Sequence, residues 1–322
     1  MNFELGPSRL TTFTFPHTLE PVPMDNQIDR AAVPLNDSLL PSPVLRPQPQ
    51  FDANNPPWGV GGALLVWFLS LVLLAIVPLI FLIPYAFQRG LNFTDPNFPQ
   101  AFAQFALTDK TAVVLQVVSL LPIHLLTFGL VWALVTRLGK YPFLSSIGCE
   151  WPTRSWRWIS VLLGVLLFGA AVAITKLVGA DKPTQLEQII NSSLAARYAI
   201  AFLAVFTAPF VEEFIYRGVL FAALQRLTGV MIAGIATLAL FTLIHVPQYW
   251  PNIGVLAAVG FLSVALTVVR AKSGRLLPCV VIHFIFNGIQ SVILLVEPYL
   301  PSSAPLPDPA PTLVLLHRLG LF

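Results

Sequence analysis

The chain has 322 residues, of which 56% are hydrophobic and only 10% are charged, and its formal net charge is +3. Soluble domains carry about 25% charged residues, so this composition excludes an ordinary soluble protein and predicts an integral membrane protein. The net charge is too small and too scattered for nucleic-acid binding, and it fits basic loops beside anionic lipid headgroups. Two cysteines, Cys149 and Cys279, are too few for a disulfide framework or a Cys-rich zinc site, and we expect both to be inert.

Residues 1–57 form a proline-rich block at the start of the chain. The block contains eleven prolines and has no sustained hydrophobic periodicity. Proline-rich segments favour extended, unpacked chain. We therefore predict a disordered tail, with peptide docking as the alternative role for this block.

From Trp58 onward the chain changes to long apolar segments. A helix needs about 20 apolar residues to cross a bilayer. The stretch 227–269 contains no Asp, Glu, Lys or Arg and is too long for one span, and Pro247, Pro251 and Gly254 indicate a turn inside it. Seven spans are predicted, at about 61–87, 111–133, 158–178, 198–224, 229–245, 253–269 and 276–296.

These spans predict an all-α, polytopic transmembrane helical bundle behind the disordered tail. We expect N-terminal membrane helices in 58–197, a catalytic core in 198–297 and a C-terminal tail in 298–322 with an interfacial apolar patch at 313–316. The basic loops lie between spans two and three, four and five, and six and seven. The positive-inside rule therefore predicts a cytoplasmic N-terminus and an outside C-terminus. The tail and the small loops favour a prokaryotic plasma membrane.

The fourth span carries three charges, on Glu212, Glu213 and Arg217. An ionised group near the bilayer centre costs roughly 2.5–3.5 kcal/mol, so such groups are usually paired and functional. Glu213 and Arg217 are four residues apart and share a helix face. Glu212 is rotated by about 100° and precedes Tyr216 by four residues. We predict that Glu213 pairs with Arg217, that Glu212 points into a cavity, and that the Tyr216 hydroxyl orients a carboxylate. The alternative is an ion-pair network that only fixes helix register.

Polar side chains also occur in three other predicted spans. His245 ends span five, and His283 and Asn287 lie four residues apart on one face of span seven. Burying these groups in lipid without partners would cost several kcal/mol, so they must face the bundle interior, where they can meet Glu212. A single membrane histidine is more often a packing residue, and we interpret His124 in span two in that way.

Such a cluster can activate water. A carboxylate in apolar surroundings becomes a usable general base near neutral pH, so Glu212 assisted by His245 can deprotonate water. His283 and Asn287 can then stabilise the oxyanion. In the alternative, Glu212, His245 and His283 hold a divalent metal ion, with zinc the best match for nitrogen and oxygen ligands, although no His-Glu-x-x-His motif occurs. Both mechanisms remain open. The absence of Asp from the spans argues against an aspartyl protease.

Three ordered motifs carry a family resemblance. They read Glu212-Glu213-x-x-x-Arg217, Phe241-x-x-x-His245 and His283-x-x-x-Asn287. Together they resemble the signature of the CPBP intramembrane proteases, also called the CAAX protease and bacteriocin-processing (Abi) family, over about residues 197–297. The resemblance implies a membrane-embedded cavity and Glu212 as the catalytic glutamate, with His245, His283 and Asn287 completing the site. Family members have been described both as metalloproteases and as glutamate-dependent proteases.

The resulting hypothesis is an intramembrane endopeptidase that acts on a membrane-bound or lipidated peptide. Its expected partners are membrane lipids and that peptide, and no nucleic acid. Two alternatives use the same residues differently. A proton-coupled transporter would use Glu212 and the histidines as a proton relay. A non-catalytic membrane adaptor or immunity protein would keep the cluster only as structure.

Overall fold

Helices make up the regular structure of the part of the chain that the computed structural model describes, residues 52–180 and 182–300. In chain order they are α1 (Val60–Gln88), α2 (Phe98–Thr108), α3 (Lys110–Thr136), α4 (Phe143–Ser146), α5 (Trp156–Val178), α6 (Gln185–Ser192), α7 (Leu194–Phe206), α8 (Ala208–Glu213), a π-helix (Phe214–Leu220, the π segment), α9 (Phe221–Thr228), α10 (Val230–Tyr249), α11 (Ile253–Ser273), α12 (Leu277–Val296) and a 3₁₀ turn (Glu297–Tyr299). The disordered tail was predicted at 1–57, and of it the residues up to 51 lie outside the described part of the chain, as does the patch at 313–316. Residues 52–57 are described, and Ala53 and Pro56 among them are buried.

The prediction of seven spans in an all-helical bundle is confirmed. Six helices, α1, α3, α5, α10, α11 and α12, are each long and apolar enough to cross a membrane. The seventh candidate is a bent unit, in which α7 and the helical stretch Ala208–Thr228 pass the same test together and meet at an angle of 40°. This bent unit corresponds to the predicted fourth span and carries the Glu-Glu-x-x-x-Arg motif.

The bend in the fourth span lies at Thr207. Pro209 is in the first turn of α8, where a missing N–H does no harm. Proline cannot donate to the carbonyl four residues back, so the hydrogen bonds of α7 do not continue through Pro209. The chain leaves the helix at Thr207, just ahead of Ala208. A 40° change of direction results immediately before the two glutamates.

The fifth span is longer than predicted. The expected turn at Pro247 is displaced, because α10 continues to Tyr249. Pro247 removes only one intrahelical hydrogen bond, and so close to the end of the helix this loss is tolerated. His245 consequently lies inside α10 instead of at its end.

Packing between the spans places the motif helix in the centre. α1 packs on α3, α5 packs on α11 and α12, and α10 packs on α11. One apolar core surrounds the π segment and includes Phe214, Val219 and Leu220. The short helices α2 and α6 were not predicted, because they are too short and too polar to register as spans. α6 begins with a capping box formed by Thr184 and Glu187.

Candidate active site

A cavity of about 510 Å³ lies inside the bundle. Its wall includes Glu212, His245, His283 and Asn287, the four residues predicted to be catalytic. Apolar side chains of α1, α3 and α5 also line it, together with residues of α6, α7, α10, α11 and α12. The bundle therefore gathers side chains from three separate motifs around one space.

The two adjacent glutamates have different environments. The Glu213 side chain is fully buried, whereas the Glu212 side chain is 22% exposed and faces the cavity. Arg217 is also fully buried, and its Nη1 lies 3.0 Å from Glu213 Oε1. Its Nη2 donates to Ser263 on α11, at 2.8 Å to Oγ and 3.0 Å to the carbonyl. Glu213 is thus held by an ion pair, while Glu212 is free to meet a ligand.

Arg217 lies in the π segment, which the sequence did not predict. The Phe221 N–H bonds to the Tyr216 carbonyl, five residues earlier. π-helical turns are rare in proteins as a whole, and those that occur often lie at functional sites. Gly218 allows the close packing of this segment, because a Cβ there would lie 2.7 Å from the Ile147 side chain. The guanidinium of Arg217 also stacks on the Phe241 ring, with 4.7 Å between Cζ and the ring centroid.

His283 connects the two glutamates. Its Nδ1 lies 2.8 Å from Glu213 Oε1, and its Nε2 lies 3.8 Å from Glu212 Oε2. The Glu213 carboxylate is already paired with Arg217 and acts as an acceptor, so Nδ1 carries the proton of this hydrogen bond. The ring is thereby fixed in orientation, with Nε2 directed to the side of Glu212.

His245 is oriented by its own helix. Its Nδ1 lies 2.7 Å from the Phe241 carbonyl, which can only accept. Nδ1 therefore carries a proton, and Nε2 is left as the second functional atom of the ring. The ring stacks parallel to that of Tyr249, with centroids 6.1 Å apart. The Phe-x-x-x-His spacing is explained by this geometry, because Phe241 supplies both the carbonyl for His245 and the ring under Arg217.

Asn287 binds the bent fourth span. Its Nδ2 donates to the Ala204 carbonyl at 2.9 Å, in the last turn of α7. The carbonyls at the end of a helix need partners from outside the helix, and this amide supplies one. An amide nitrogen has two hydrogens, so one N–H of Asn287 and its Oδ1 remain for a ligand in the cavity.

Two further residues of the cavity wall have roles that the sequence did not predict. The Tyr216 hydroxyl accepts a hydrogen bond from Trp67 Nε1 of α1 at 3.1 Å. It was predicted to orient a carboxylate, but within the described chain its hydrogen bond is to Trp67 and not to Glu212. His124, interpreted above as a packing residue, lines the cavity and pairs through Nδ1 with Thr207 Oγ1 at 2.7 Å. Thr207 and His124 are 83 positions apart in the sequence, so no local sequence pattern predicts their contact.

The proposed metal ligands fit zinc in donor type but not in spacing. Histidines that bind zinc usually donate the other ring N–H to a carboxylate or a carbonyl, as His283 and His245 do here. Within residues 52–180 and 182–300, however, no three His, Cys, Asp or Glu side chains lie close enough to one another to hold a metal ion.

Cys149 lies outside the spans, in the connection between α4 and α5. Burial, and secondarily the neighbouring Glu150, raise the pKa of the Cys149 thiol to about 11. The thiol is therefore protonated at neutral pH and is a poor nucleophile.

Comparison with known proteins gives one match. Residues 193–289 match the family model of the Rce1-like type II CAAX prenyl endopeptidases, and all three motifs lie within the matched region. No curated protein and no solved structure matches the chain. This part of the chain, which includes the helices that carry Glu212, His245 and His283, is therefore similar to the CPBP family of intramembrane proteases.

Proposed function

We propose that the protein is an endopeptidase that hydrolyses a membrane-bound or lipidated peptide inside the bundle, with Glu212 as the general base. The observation that carries this proposal is the division of labour between the two glutamates. Glu213 is fully buried in an ion pair, whereas Glu212 is partly exposed to a cavity that also contains His245, His283 and Asn287. A carboxylate at the wall of an apolar cavity suits proton abstraction from water.

In this proposal Glu212 takes one proton from water as the water oxygen forms a bond to the peptide carbonyl carbon. His245 assists by accepting a hydrogen bond from the same water at Nε2, because its Nδ1 proton is held by Phe241. Glu212 then returns the proton to the leaving amine as the C–N bond breaks. Every atom and proton is accounted for by the peptide, one water and these side chains.

The oxyanion is stabilised by His283 and the remaining N–H of Asn287. His283 Nδ1 already donates to Glu213, so its Nε2 can donate as well only if the ring is an imidazolium. The Glu213 and Glu212 carboxylates flank this ring, at 2.8 Å from Nδ1 and 3.8 Å from Nε2. The positive charge of Arg217 balances the charge of Glu213.

The apolar part of the cavity supports a lipidated or strongly apolar peptide as the substrate. Leu71 and Leu74 of α1, Leu120 of α3 and Phe168 of α5 line this part. A prenyl or acyl chain would bury its surface against these groups, at roughly 25 cal/mol for each Å² removed from water. The polar groups at the other part of the wall would then meet the peptide bond.

The test uses purified protein and a panel of fluorogenic peptides, each made with and without a lipid. Wild type is compared with Glu212→Gln and with Glu150→Gln, a matched control because Glu150 is an exposed carboxylate paired with Arg275. We expect cleavage of a lipidated peptide by wild type and Glu150→Gln and no cleavage by Glu212→Gln, which should fold normally. Cleavage by Glu212→Gln at the wild-type rate would contradict the assigned base, and folded wild type that cleaves no peptide would favour the adaptor and transporter alternatives.

A zinc-dependent mechanism with Glu212, His245 and His283 as ligands is the alternative chemistry. It is supported by the ring orientation of both histidines and opposed by the spacing of the three groups. The same assay with a strong chelator separates the two. Full activity after prolonged chelation supports the glutamate mechanism, and loss that zinc restores supports the metal mechanism.

We further propose that the N-terminus and the basic loops face the cytoplasm of a prokaryotic plasma membrane. The Leu276 N–H bonds to the Gly148 carbonyl at 2.8 Å, which brings two of the basic loops together at one end of the bundle. Labelling of single cysteines with an impermeant maleimide, in a Cys149→Ala background, tests the orientation. Thr94→Cys should be labelled from outside intact cells, and Ser155→Cys only after lysis.

A further inference from the structure

The segment immediately before α1, Asp52–Trp58, is bound to the end of the bundle, and we call it the strap. Ala53, Pro56 and Trp58 are buried. Ala53 packs on Gly148, where an added Cβ would lie 2.7 Å from the Ala53 Cβ. The strap lies outside the region that matches the family model. Its burial calls for an explanation, since nothing in the proposed chemistry uses it.

Three arginines from three helical regions hold the strap. Arg270 of α11 is fully buried and donates to Asn54 Oδ1 at 2.6 Å and to the Ala53 carbonyl at 2.9 Å. Arg226 of α9 donates to the Pro56 carbonyl at 2.8 Å, and Arg137 at the end of α3 donates to the Pro57 carbonyl at 3.3 Å. A fully buried guanidinium is costly without acceptors, and within the described residues both side-chain hydrogen bonds of Arg270 go to the strap.

The strap also touches the π segment directly. Trp58 is 4% exposed, and its Nε1 donates to the Val219 carbonyl at 3.2 Å. Val219 is two residues beyond Arg217 in the same π-helical turn. Nine residues after Trp58, Trp67 of α1 donates to the Tyr216 hydroxyl at 3.1 Å. Two indole N–H groups thus donate hydrogen bonds to the π segment, one to Tyr216 before Arg217 and one to Val219 after it.

These contacts matter because the geometry of a π-helical turn depends on its surroundings. Such a turn is rare and appears mostly as a single turn inside an α-helix. A return to α-helical geometry between Phe214 and Leu220 would rotate the residues on either side of it relative to one another. Arg217 would then be displaced relative to Ser263 of α11, to which its Nη2 donates at 2.8 Å. Arg217 and His283 contact the same Glu213 oxygen, so a shift of Arg217 would also disturb the Glu213–His283 contact.

We propose that the strap is a clamp on the motif helix and that Trp58 is a positioning residue for hydrolysis, acting through the π segment on Arg217, Glu213 and His283. The proposal rests on the proposed function for its catalytic consequence, but its structural part stands independently. Trp58 does not line the cavity. It holds the turn that carries Arg217, and Arg217 acts through Glu213 on His283, which does line the cavity.

The test compares Trp58→Phe, which removes the N–H and keeps an aromatic ring, with Trp158→Phe, whose indole is 78% exposed. Two quantities are measured on the full-length protein in detergent. The first is backbone deuterium exchange in peptides that cover Phe214–Leu220. The second is kcat and KM for a peptide that wild type cleaves. In Trp58→Phe we expect exchange of this segment to rise about tenfold and kcat to fall about tenfold with KM unchanged, and in Trp158→Phe we expect no change.

Unchanged exchange at Phe214–Leu220 in folded Trp58→Phe would overturn the proposal, and so would a rise spread evenly over all helices. Exchange is measured without a substrate, so a protein that cleaves no peptide would count against the proposed function and leave the clamp testable. If Trp58→Phe does not fold, Asn54→Ala replaces it, because that variant removes the side-chain acceptor of Arg270 at the far end of the strap. It should also raise exchange locally in the π segment, and exchange equal to wild type there would contradict the clamp.

Discussion

His283 Nδ1 and Glu213 Oε1 are 2.8 Å apart, and the same carboxylate oxygen receives Arg217 Nη1 at 3.0 Å. One oxygen of the fully buried Glu213 carboxylate therefore links Arg217 in the fourth span to His283 in the seventh. Low dielectric surroundings strengthen such contacts and make the loss of one partner expensive for the others. The motifs are therefore coupled in stability as well as in chemistry.

This coupling can be measured with a double-mutant cycle of Glu213→Gln and His283→Asn. We expect each single variant to be destabilised, and the double variant to be less destabilised than the sum of the two. The expected coupling free energy is about 1.5–3 kcal/mol, the range for a hydrogen bond to a charged group. Reversible unfolding in detergent gives the loss of unfolding free energy for each single variant and for the double variant. If the loss in the double variant equals the sum of the two single losses, the two side chains do not interact.

Arg217→Ala should be among the most damaging substitutions in the chain. It leaves the buried Glu213 carboxylate without its charged partner, which costs on the order of 3–5 kcal/mol. The matched control is Arg275→Ala, because the pair that Arg275 forms with Glu150 is 3.2 Å long but about half exposed, and such pairs contribute roughly 0–1 kcal/mol. Unfolding free energies in detergent compare the two, and an Arg217→Ala variant as stable as wild type would contradict the buried pairing.

Asp109 caps the N-terminus of α3 and makes stability depend on pH. Its carboxylate accepts hydrogen bonds from the N–H groups of Ala112 and Thr111, both at 2.9 Å. The bond from Ala112, with those from Tyr85 and Thr111 and the charge of Arg89, holds the pKa of Asp109 below its ordinary value of 3.8. A lowered folded-state pKa adds stability that is complete above the unfolded pKa and is lost as the pH falls below 3.8 through the folded pKa.

Removal of this cap by Asp109→Ala should cost about 1 kcal/mol at neutral pH. Asp109→Asn keeps an acceptor oxygen and should cost less. The difference in unfolding free energy between wild type and Asp109→Asn should narrow as the solution is acidified. A difference that stays constant down to strongly acidic pH would show that the charge of Asp109 does not contribute.

The parts of the fold that follow local rules were predictable from the sequence. Span positions depend on the length of apolar runs, and α1, α3 and α5 begin and end within a few residues of the predicted limits. The ion pair of Glu213 and Arg217 follows from a spacing of four residues, which keeps the two side chains near each other in the π-helical turn as well. In both cases the physical cause lies within a few residues of its effect.

Other features depend on contacts between distant parts of the chain and could not be predicted. The π segment is stabilised by Trp58 and by the loop residue Ile147, which packs against Gly218. The hydrogen-bond partner of Tyr216 is set in the same way, by Trp67 of α1. Sequence spacing alone gives no sign of the π segment, and it places the Tyr216 hydroxyl beside Glu212, where the structure gives it a hydrogen bond from Trp67.

His124 is the clearest case of a site residue that local reasoning missed, and its geometry leads to a specific prediction. The Thr207 hydroxyl has one hydrogen, which it donates to the Leu203 carbonyl at 3.0 Å. Thr207 must then accept from His124 Nδ1, so that nitrogen is protonated and Nε2 is the functional atom of the ring. Among the residues that line the cavity, His124 is the one ionisable side chain contributed by α1, α3 or α5.

We expect His124→Phe to reduce peptide cleavage several-fold while folding normally, because it removes an ionisable group from the cavity wall and keeps the volume of a ring. Thr207→Val is the matched control, because it removes the same hydrogen bond and leaves the imidazole in place. If His124 acts only by fixing the bend at Thr207, the two variants should lose the same activity. If its ring serves the reaction, His124→Phe should lose more, at equal stability in a thermal unfolding assay. Full activity in folded His124→Phe would return this residue to a packing role.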